Sequence, residues 1–398
     1  MTDAPAAGVA GPSAADPAPV VVSPFAARDG FVDDGSGVAA HYGNPLTEQR
    51  ALVRGAAVVD LSDRGVLTVS GPDRLSWLNS LTSQALLGLE PGRSTETLLL
   101  DANGRLEHAA RVVDDGETTW LLVDRVEAEP LRAWLDRMRF MLRVEVADRT
   151  ADVATIGALA DVELPVPVLA PAGVPVVWVD PWREVAPGGH GYADAETHPG
   201  RDWSYREVLV DRADLAALAA SDLPAAGTLA LEALRIEAWR PRLSTEVDER
   251  SIPHELDWLR SAVHLAKGCY RGQETVAKVH NIGHPPRRLV MLHLDGSDTV
   301  LPAPGDPVVT VAAVAEATAA GTPLADLAPV GRVTSSAVHH ELGPVALAVV
   351  KRTTDETAPL AVLSADIVVA AAPQTIVPAS AGAAAGVPRL PRLGAVRR

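Results

Sequence analysis

Cysteine is nearly absent from this chain: Cys269 is the single cysteine among 398 residues. One thiol excludes an intramolecular disulfide framework, which fits a reducing compartment. It also excludes a zinc or iron–sulfur site built from several cysteines of this chain, and we expect no metal ligand set. Aromatic residues are scarce as well, at 4%, so the core is expected to consist of aliphatic side chains.

Long apolar runs and export signals are missing too. No stretch approaches the roughly 18 apolar residues that span a bilayer. No Lys or Arg precedes Arg28, where a secretory signal needs a basic start. These absences predict a cytoplasmic protein without membrane contact. The net charge of −16 argues against direct binding of nucleic acid, and the GxxxxGK[ST], GxGxxG and GxSxG patterns are absent.

The length predicts two or three domains, because one ordinary core does not grow to this size. The Ala/Pro-rich start predicts a disordered leader. The stretch from Pro378 contains four arginines and no acidic residue, which predicts a disordered basic tail. Between them, strand and helix patterns alternate up to Pro285-Pro286. Short strands then follow to about residue 376. This order predicts the α+β class with a small C-terminal β-barrel or sandwich.

Local patterns predict individual helices and strands. Asn44-Pro45 and Gly227-Thr228 each indicate a helix start. A helix is predicted near 125–138, with an apolar stripe of Val126, Leu131, Leu135 and Met138. Hairpin turns are predicted at Asn103-Gly104 and Asp115-Gly116. Further strands are predicted for Met141–Val146, for two segments of PVPVLAPAGVPVVWVD (165–180), and for DPVVTVAAV (306–314).

The cysteine lies in KGCYRGQE (267–274), a polar segment with two glycines. The cations Lys267 and Arg271 are expected to lower the pKa of the Cys269 thiol, which favours a nucleophilic, oxidisable or metal-seeking thiolate. Such a thiolate is also able to ligate a cluster shared briefly with a partner. Tyr270 offers a flat face to a ring, and Gln273 offers an amide that reads donors and acceptors. The alternative is a tight turn whose cysteine merely packs.

A second segment of interest is RIEAWRPRLSTEVDERSIPHEL (235–256). Glu237 lies near the end of an otherwise aliphatic helix, where burial raises a carboxyl pKa or requires a hydrogen-bond donor as partner. A buried carboxylate is suited to the N–H/NH2 edge of a pterin or guanine-like ring. The alternative is a solvent-facing glutamate on an amphipathic helix.

Four segments together resemble a known family. They are HYGNPLTEQRALVRGAAVVDLSDRGVLTVSGPDRLSWLNSLTSQAL (41–86), LRIEAWRP, the P-x-E of IPHE, and KGCYRGQE. The chain resembles the folate-binding YgfZ family, from about residue 38 to 375. This family is a branch of the superfamily that includes the glycine-cleavage T-protein, an aminomethyltransferase. KGCYxGQE is characteristic of the branch, whereas the N-terminal pattern belongs to the whole superfamily.

The resemblance implies an α+β fold of three domains in a cloverleaf, with reduced folate in a central hole. The implied division is a leader (1–24), a discontinuous folate-binding domain (25–148 and 224–285), an inserted α+β domain (149–223), a C-terminal β-barrel (286–376) and a tail (377–398). Tetrahydrofolate or a derivative is the implied cofactor. Lys267, Tyr270, Arg271 and Gln273 would line its cavity, Glu237 would contact the pterin, and Cys269 would be the catalytic residue.

The chain also departs from the T-protein pattern. The Gly-x-x-x-Asp-Asp stretch that carries the T-protein's catalytic aspartate corresponds here to GRLEHAA (104–110), with His108 and Ala109 at the acidic positions. Without that general acid, aminomethyl transfer is not expected. The T-protein's R-x-E-A-G becomes R-I-E-A-W, and Trp239 is expected to narrow or cover the pocket.

The resulting prediction is a monomeric, tetrahydrofolate-binding accessory protein without independent turnover. It would support assembly or repair of iron–sulfur enzymes, including those that modify tRNA, and its partners would be iron–sulfur client or assembly proteins. The alternatives are a folate-dependent one-carbon transferase and a non-catalytic scaffold of the same fold.

Overall fold

The computed structural model describes residues 21–386. Most of the predicted leader and the four terminal arginines lie outside this range. The helices are α1 (Pro45–Val53), α2 (Arg74–Leu81), α3 (Arg125–Met138), α4 (Leu215–Ala219), α5 (Thr228–Glu237), α6 (Leu243–Glu246), α7 (Gln273–Ile282) and α8 (Val311–Ala320). Within residues 21–386, no helix combines the length and the apolar character needed to cross a membrane.

The strands form two open sheets, one closed barrel and a short pair. They are β1 (Val32–Asp33), β2 (Ala39–His41), β3 (Val58–Asp60), β4 (Gly65–Ser70), β5 (Ser94–Leu100), β6 (Leu106–Asp114), β7 (Thr118–Val123), β8 (Glu145–Asp148), β9 (Val153–Ala158), β10 (Val177–Val179), β11 (Arg206–Asp211), β12 (Ala225–Ala226), β13 (Arg287–Leu294), β14 (Pro307–Thr310), β15 (Gly331–His339), β16 (Gly343–Lys351), β17 (Leu360–Ser364) and β18 (Ile367–Thr375).

The first sheet is antiparallel, with the spatial order β5-β6-β7-β4-β8. Both predicted hairpins are confirmed: Asn103-Gly104 lies between β5 and β6, and Asp115-Gly116 between β6 and β7. Gly104 has φ +78°, a left-handed conformation that favours glycine. One face of the sheet packs against α2 and α3 through an aliphatic cluster that includes Leu67 and Leu131.

The second sheet has the order β10-β11-β9-β3-β12, and β12 runs parallel to β3. It takes β3 and β12 from the predicted first domain and β9, β10 and β11 from the predicted insertion, and the division into domains stays a prediction. Helix α5 follows β12 directly and begins at Thr228, as predicted. It lies in the core cluster that joins the inner faces of both sheets to the barrel.

The predicted C-terminal barrel is confirmed as a closed sheet of six strands, in the order β13-β16-β15-β14-β17-β18. One of its predicted strands is wrong in its second half. After Thr310 the segment VAAVAEATAA is helix α8. The Thr310 hydroxyl accepts a hydrogen bond from Ala313 N (3.2 Å) and caps the helix, and alanine is the strongest helix former.

Three further expectations need correction. The strand predicted for 141–146 begins only at Glu145, because a turn with Phe140 at φ +48° precedes it and leaves Met141 98% exposed. Of the two strands predicted within 165–180, the structure has only β10. Helix α3 spans the predicted residues, but Val126 is 75% exposed. It lies five residues before Leu131, which is about 140° round a helix of 3.6 residues per turn.

The packed chain extends beyond the predicted start of the tail at 377. Val377 and Ala381 are buried. Ala384 N donates to His280 O (2.9 Å) and Ala385 N to Asn281 O (3.0 Å), at the C-terminal end of α7. The small Ala and Gly residues that suggested disorder let this segment approach the helix end and satisfy its free carbonyls.

Candidate functional site

A central cavity, partly open to solvent, lies between α5, the first sheet and the segment after α5. Its described lining residues are Leu61, Arg64, Glu96, Ala109, Ala110, Arg111, Asp124, Glu127, Asp180, Trp203, Tyr205, Thr228, Leu231, Glu232, Arg235, Arg240, Pro241, Arg242, Leu243 and Trp258. The lining therefore contains both aromatic rings and oppositely charged side chains.

One end of the cavity is built around the guanidinium of Arg240. It donates to Glu96 Oε2 (2.6 Å) and to Asp180 Oδ2 (2.9 Å), and it lies 5.1 Å from the Trp182 ring. Burial raises the pKa of Asp180, the charge of Arg240 opposes this, and the charge of Glu96 adds to it. Two buried carboxyl groups thus share one arginine.

Two polar atoms at this end have no hydrogen-bond partner among the described residues: Glu96 Oε1 and Arg240 Nη1. Glu96 is 3% exposed and Arg240 is 6% exposed. A buried polar atom without a partner costs about 1–3 kcal/mol. Both residues line the cavity, so one acceptor atom and one donor atom at this end are left without a hydrogen bond to the described residues.

Further charge pairs surround the rest of the cavity. Arg235 binds Glu232 (2.6 Å) and Glu246 (3.0 Å). Burial alone would raise the pKa of Glu232, but the charges of Arg235 and Arg242 lower it below its usual value. Asp124 is half-buried, which alone would raise its pKa, but the charges of Arg111 and Arg64 lower the pKa below its usual value. These groups stay ionised, so a ligand would meet fixed charges.

Aromatic rings supply flat surfaces beside these charges. Trp203 and Tyr205 stack with their ring centroids 5.1 Å apart. The Trp203 indole donates to Asp180 Oδ2 (2.8 Å), and the Trp258 indole donates to Glu96 Oε2 (3.2 Å). The two indole rings are therefore held in place by the same carboxylates that bind Arg240, whereas the Tyr205 hydroxyl donates to Glu207 Oε1 (2.8 Å).

Glu127 is a cavity residue that the sequence reasoning missed. Its Oε1 lies 3.3 Å from Ala109 N, which donates to it, and 3.3 Å from His108 Nδ1. Burial raises the pKa of Glu127. A carboxyl group thus lies beside Ala109, where the T-protein pattern has an acidic residue. It comes from the first turn of α3 and is remote in sequence.

The six residues predicted from the sequence lie elsewhere: among the described residues that line the cavity, none is one of them. Five of them lie in one compact turn, KGCYRGQE (267–274). Gln273 Nε2 donates to Lys267 O (3.3 Å), and the Lys267 ammonium lies 5.2 Å from the Tyr270 ring. Cys269 is exposed at the top of this turn.

The cations beside Cys269 are engaged with other groups. Lys267 Nζ contacts backbone carbonyls, and Arg271 Nη1 donates to Glu107 Oε2 (2.6 Å). Glu107 is the extra residue of a bulge, since Leu99 pairs with His108 and Leu100 with Leu106. Such a bulge re-aims a side chain. Glu107, the acid retained in GRLEHAA, is therefore directed to the cysteine turn.

Glu237 is separated from that turn and lies next to the barrel. Its carboxylate is 40% exposed and lies 3.3 Å from Nε2 of the buried His339. Trp239 follows at φ +58°, a left-handed position where the T-protein pattern has glycine and where another residue is strained. Its indole donates to Met291 Sδ (3.1 Å), so Trp239 packs under the barrel and is not a cavity-lining residue.

The described residues contain no group of three or more His, Cys, Asp or Glu side chains arranged to hold a metal ion. The cavity residues come from segments up to about 200 positions apart. Single buried Arg and Glu residues in such segments belong to no local motif, so they are hard to recognise from the sequence. One segment does indicate the cavity in the sequence. In RIEAWRPR (235–242), charged residues recur at the end of an aliphatic helix.

Comparisons with known proteins agree with this fold. Residues 40–159 match the family model of the GCVT N-terminal domain. The glycine cleavage system aminomethyltransferase T from Bartonella henselae superimposes with a TM-score of 0.67 at 16% identity, over 90% of this chain and 98% of that chain. The chain therefore has the aminomethyltransferase-like fold.

Three curated proteins are similar in sequence, each at 25% identity. An aminomethyltransferase from Symbiobacterium thermophilum matches over 67% of this chain and 74% of its own length. A chloroplastic putative transferase from Arabidopsis thaliana matches over 69% and 63%, respectively. A mitochondrial iron-sulfur cluster assembly factor IBA57 homolog from Mycosarcoma maydis matches over 60% and 58%. The chain thus spans less than two thirds of the length of the last two.

Proposed function

We propose that this chain, a member of the aminomethyltransferase-like superfamily, is a reduced-folate-binding accessory protein for the assembly or repair of iron–sulfur enzymes. The folate occupies the central cavity, and Cys269 acts on the surface of the same molecule. Clients of this activity include enzymes that modify tRNA, and the site of action is the cytoplasm.

The observation that carries the folate half is the pair of free buried atoms, Glu96 Oε1 and Arg240 Nη1, at the aromatic end of the cavity. A pterin ring is flat, and its amide edge presents an N–H donor beside a C=O acceptor. Such an edge satisfies both free atoms at once, while Trp203, Tyr205 and Trp258 offer apolar faces. The cavity arginines offer charge to the carboxylates of a folate tail.

The iron–sulfur half draws on the similarity to a cluster assembly factor and on the exposed thiol of Cys269. An exposed cysteine is accessible to a partner's cluster, and a thiolate is the usual protein ligand of iron in such clusters. Lys267, Tyr270, Arg271 and Gln273 then serve this thiol by shaping its turn and do not contact the folate. This assignment revises the roles expected from the sequence.

Anaerobic titration with tetrahydrofolate, followed by tryptophan fluorescence, tests the folate half. Glu96→Gln keeps the shape but loses the charge, and we expect affinity to fall at least ~10-fold, which corresponds to about 1.4 kcal/mol. Glu163→Gln, on an exposed residue, is the matched control. Loss of affinity in Glu237→Gln instead would move the pterin to the barrel side of α5. No binding by the wild type would favour the scaffold alternative.

The iron–sulfur half needs a test in cells. A strain that lacks the protein is complemented with the wild type or with Cys269→Ser, and the activity of cluster-dependent enzymes is measured. We expect Cys269→Ser to give the activity of the uncomplemented strain at equal protein abundance. Full complementation by this variant would remove Cys269 from the account.

A second candidate function is supported by Glu127. Its raised pKa favours the protonated form, and it lines the cavity beside Ala109. A protonated carboxyl group in this place is able to act as the general acid of a folate-dependent one-carbon transfer. This candidate predicts turnover of a methylene- or methyl-folate by the purified protein, abolished in Glu127→Gln. Absence of turnover by the wild type rejects it.

A further inference from the structure

The side chain of Lys267 reaches the end of helix α2 and the loop after it. Its ammonium group contacts the backbone oxygens of Asn79 (2.6 Å), Thr82 (2.6 Å) and Gln84 (2.7 Å). An ammonium group has three N–H donors and no acceptor, so these three carbonyls use its full capacity. The carbonyls in turn include groups that the C-terminal end of a helix leaves without a partner.

The residue type at this position is informative. The chain contains 32 arginines and three lysines, which are Lys267, Lys278 and Lys351. A planar guanidinium matches carboxylates, whereas a compact ammonium matches three oxygens that converge on one point. Lysine therefore occurs here in a chain that otherwise places arginine at nearly every cationic position.

The contacts of Lys267 close the turn that carries the cysteine. Lys267 O accepts a hydrogen bond from the Gln273 side chain (3.3 Å), and Gln273 N donates to Tyr270 O (3.2 Å). Cys269 lies two residues after Lys267 and next to Gly268. A Cβ atom added at Gly268 would have no neighbouring atom within 4 Å, so the backbone beside the cysteine is open to solvent. With its ammonium saturated, Lys267 has no donor left for a ligand or for the thiol.

We propose that Lys267 is the positioning residue of the Cys269 turn: it fixes the turn to the end of α2 and thereby holds the thiol at the surface. This role gives the motif lysine a function other than ligand binding, and its biological meaning rests on the proposed role of Cys269. The turn itself is testable without any client protein.

The pair Arg271–Glu107 holds the other side of the turn, but it contributes less. Both side chains are more than a third exposed, and exposed ion pairs contribute about 0–1 kcal/mol. Lys267 is about half buried, and its three hydrogen bonds are charge-assisted, the stronger kind. We therefore assign the fixing of the turn chiefly to Lys267.

Because Lys267 titrates near neutral pH, the order of the turn should depend on pH. A side chain that only fills space would not produce this pH dependence. Burial lowers the pKa of Lys267 to about 8. The atoms that face it from α2 and the following loop are the three carbonyls. From its own turn the titratable group is Tyr270, whose pKa burial raises well above its usual value, so Tyr270 stays neutral. Loss of the Lys267 proton removes one donor and the charge.

Hydrogen exchange of the amides of residues 267–273, corrected for intrinsic rates, tests the proposal in the full chain. In the wild type we expect protection to fall several-fold between pH 7 and pH 9. In Lys267→Met we expect protection at pH 7 at least ~10-fold below the wild type and no further fall with pH. Lys278→Met, on an exposed lysine of α7, is the control and should match the wild type.

The wild-type profile needs no variant, so it remains decisive if Lys267→Met does not fold. A flat wild-type profile, or protection in folded Lys267→Met within twofold of the wild type, would overturn the proposal. In the complementation assay, Lys267→Met combined with Cys269→Ser should be no worse than Cys269→Ser alone. Cys269→Ser could complement fully while residues 267–273 still show the expected pH-dependent protection. In that case the proposed function of Cys269 is rejected, and the positioning role of Lys267 is not.

Discussion

The central cavity and the cysteine turn are built in opposite ways. The cavity assembles buried charges from segments distant in sequence, with Arg240 bridging Glu96 and Asp180. The turn consists of eight consecutive residues, and its cysteine is exposed. Most of the buried charged side chains of the cavity therefore lie where the sequence shows no motif, whereas the recognisable motif forms a turn with one exposed thiol.

The two regions also differ in how much a substitution should lower the free energy of unfolding. A buried pair loses several kcal/mol when one partner is removed, because the other charge stays behind without compensation. An exposed pair is screened by solvent and contributes little. Substitutions in the cavity should therefore change global stability, and those in the turn should change local order.

The largest effect is expected from Arg240→Met. The change leaves Glu96 and Asp180 buried without their shared cation, so we expect the free energy of unfolding to fall by about 3–5 kcal/mol. Urea denaturation measures it. Arg206→Met removes a pair with Asp161, which is 93% exposed, and should cost below ~1 kcal/mol. Equal losses in the two variants would contradict the buried network.

A second prediction concerns the segment between the regions, where His254 and Asp257 are buried. Burial lowers the pKa of His254 to about 3, so its contribution to stability is present above pH 6.5 and is lost as the pH falls below it. Burial raises the pKa of Asp257 to about 7, so the cost of ionising it is relieved as the pH falls below 7. The two residues thus act in opposite directions between pH 7 and pH 5.

Single variants separate these two contributions. Relative to the wild type, His254→Gln should reduce the stability lost between pH 7 and pH 5 by about 2 kcal/mol, and Asp257→Asn should increase it by about 2 kcal/mol. Urea denaturation at both pH values measures the change. Shifts of the same sign in the two variants would reject the assignment.

The smallest effect is expected from Glu107→Gln in the turn region. It breaks the ion pair with Arg271, in which both side chains are partly exposed, so global stability should change by less than ~1 kcal/mol. The charge swap Glu107→Arg with Arg271→Glu should restore the local order that either single change loses. A global loss comparable to that of Arg240→Met would mean that the two regions are not distinct.

The sequence predicted the parts of the fold that local chemistry decides. Asn103-Gly104 forms its hairpin because glycine accepts the left-handed conformation, and Asn44 caps α1 through Leu46 N and Thr47 N (both 3.1 Å). Two predictions fail for different reasons. Residues 141–146 have a strand-like composition, but the turn at Phe140 exposes Met141. After Thr310 the strand pattern competes with a second local signal, because the Thr310 cap and the alanines that follow it favour helix α8.

Less of the candidate cavity than of the fold is visible in the sequence, and for a physical reason. The turn around Cys269 is local, so its composition was visible, but the partners of Lys267 are backbone carbonyls and leave no sign in the sequence. Glu237 is a candidate in the sequence because it ends an aliphatic helix. The helix directs Leu231, Glu232 and Arg235 into the cavity, and Glu237 points towards His339.

A crystal structure with tetrahydrofolate, grown under anaerobic conditions, would show whether the central cavity is the folate site. We expect a pterin ring in this cavity, with its amide edge within hydrogen-bond distance of Glu96 Oε1 and Arg240 Nη1. A ring bound beside Glu237 and His339, or an empty cavity at saturating folate, would contradict it.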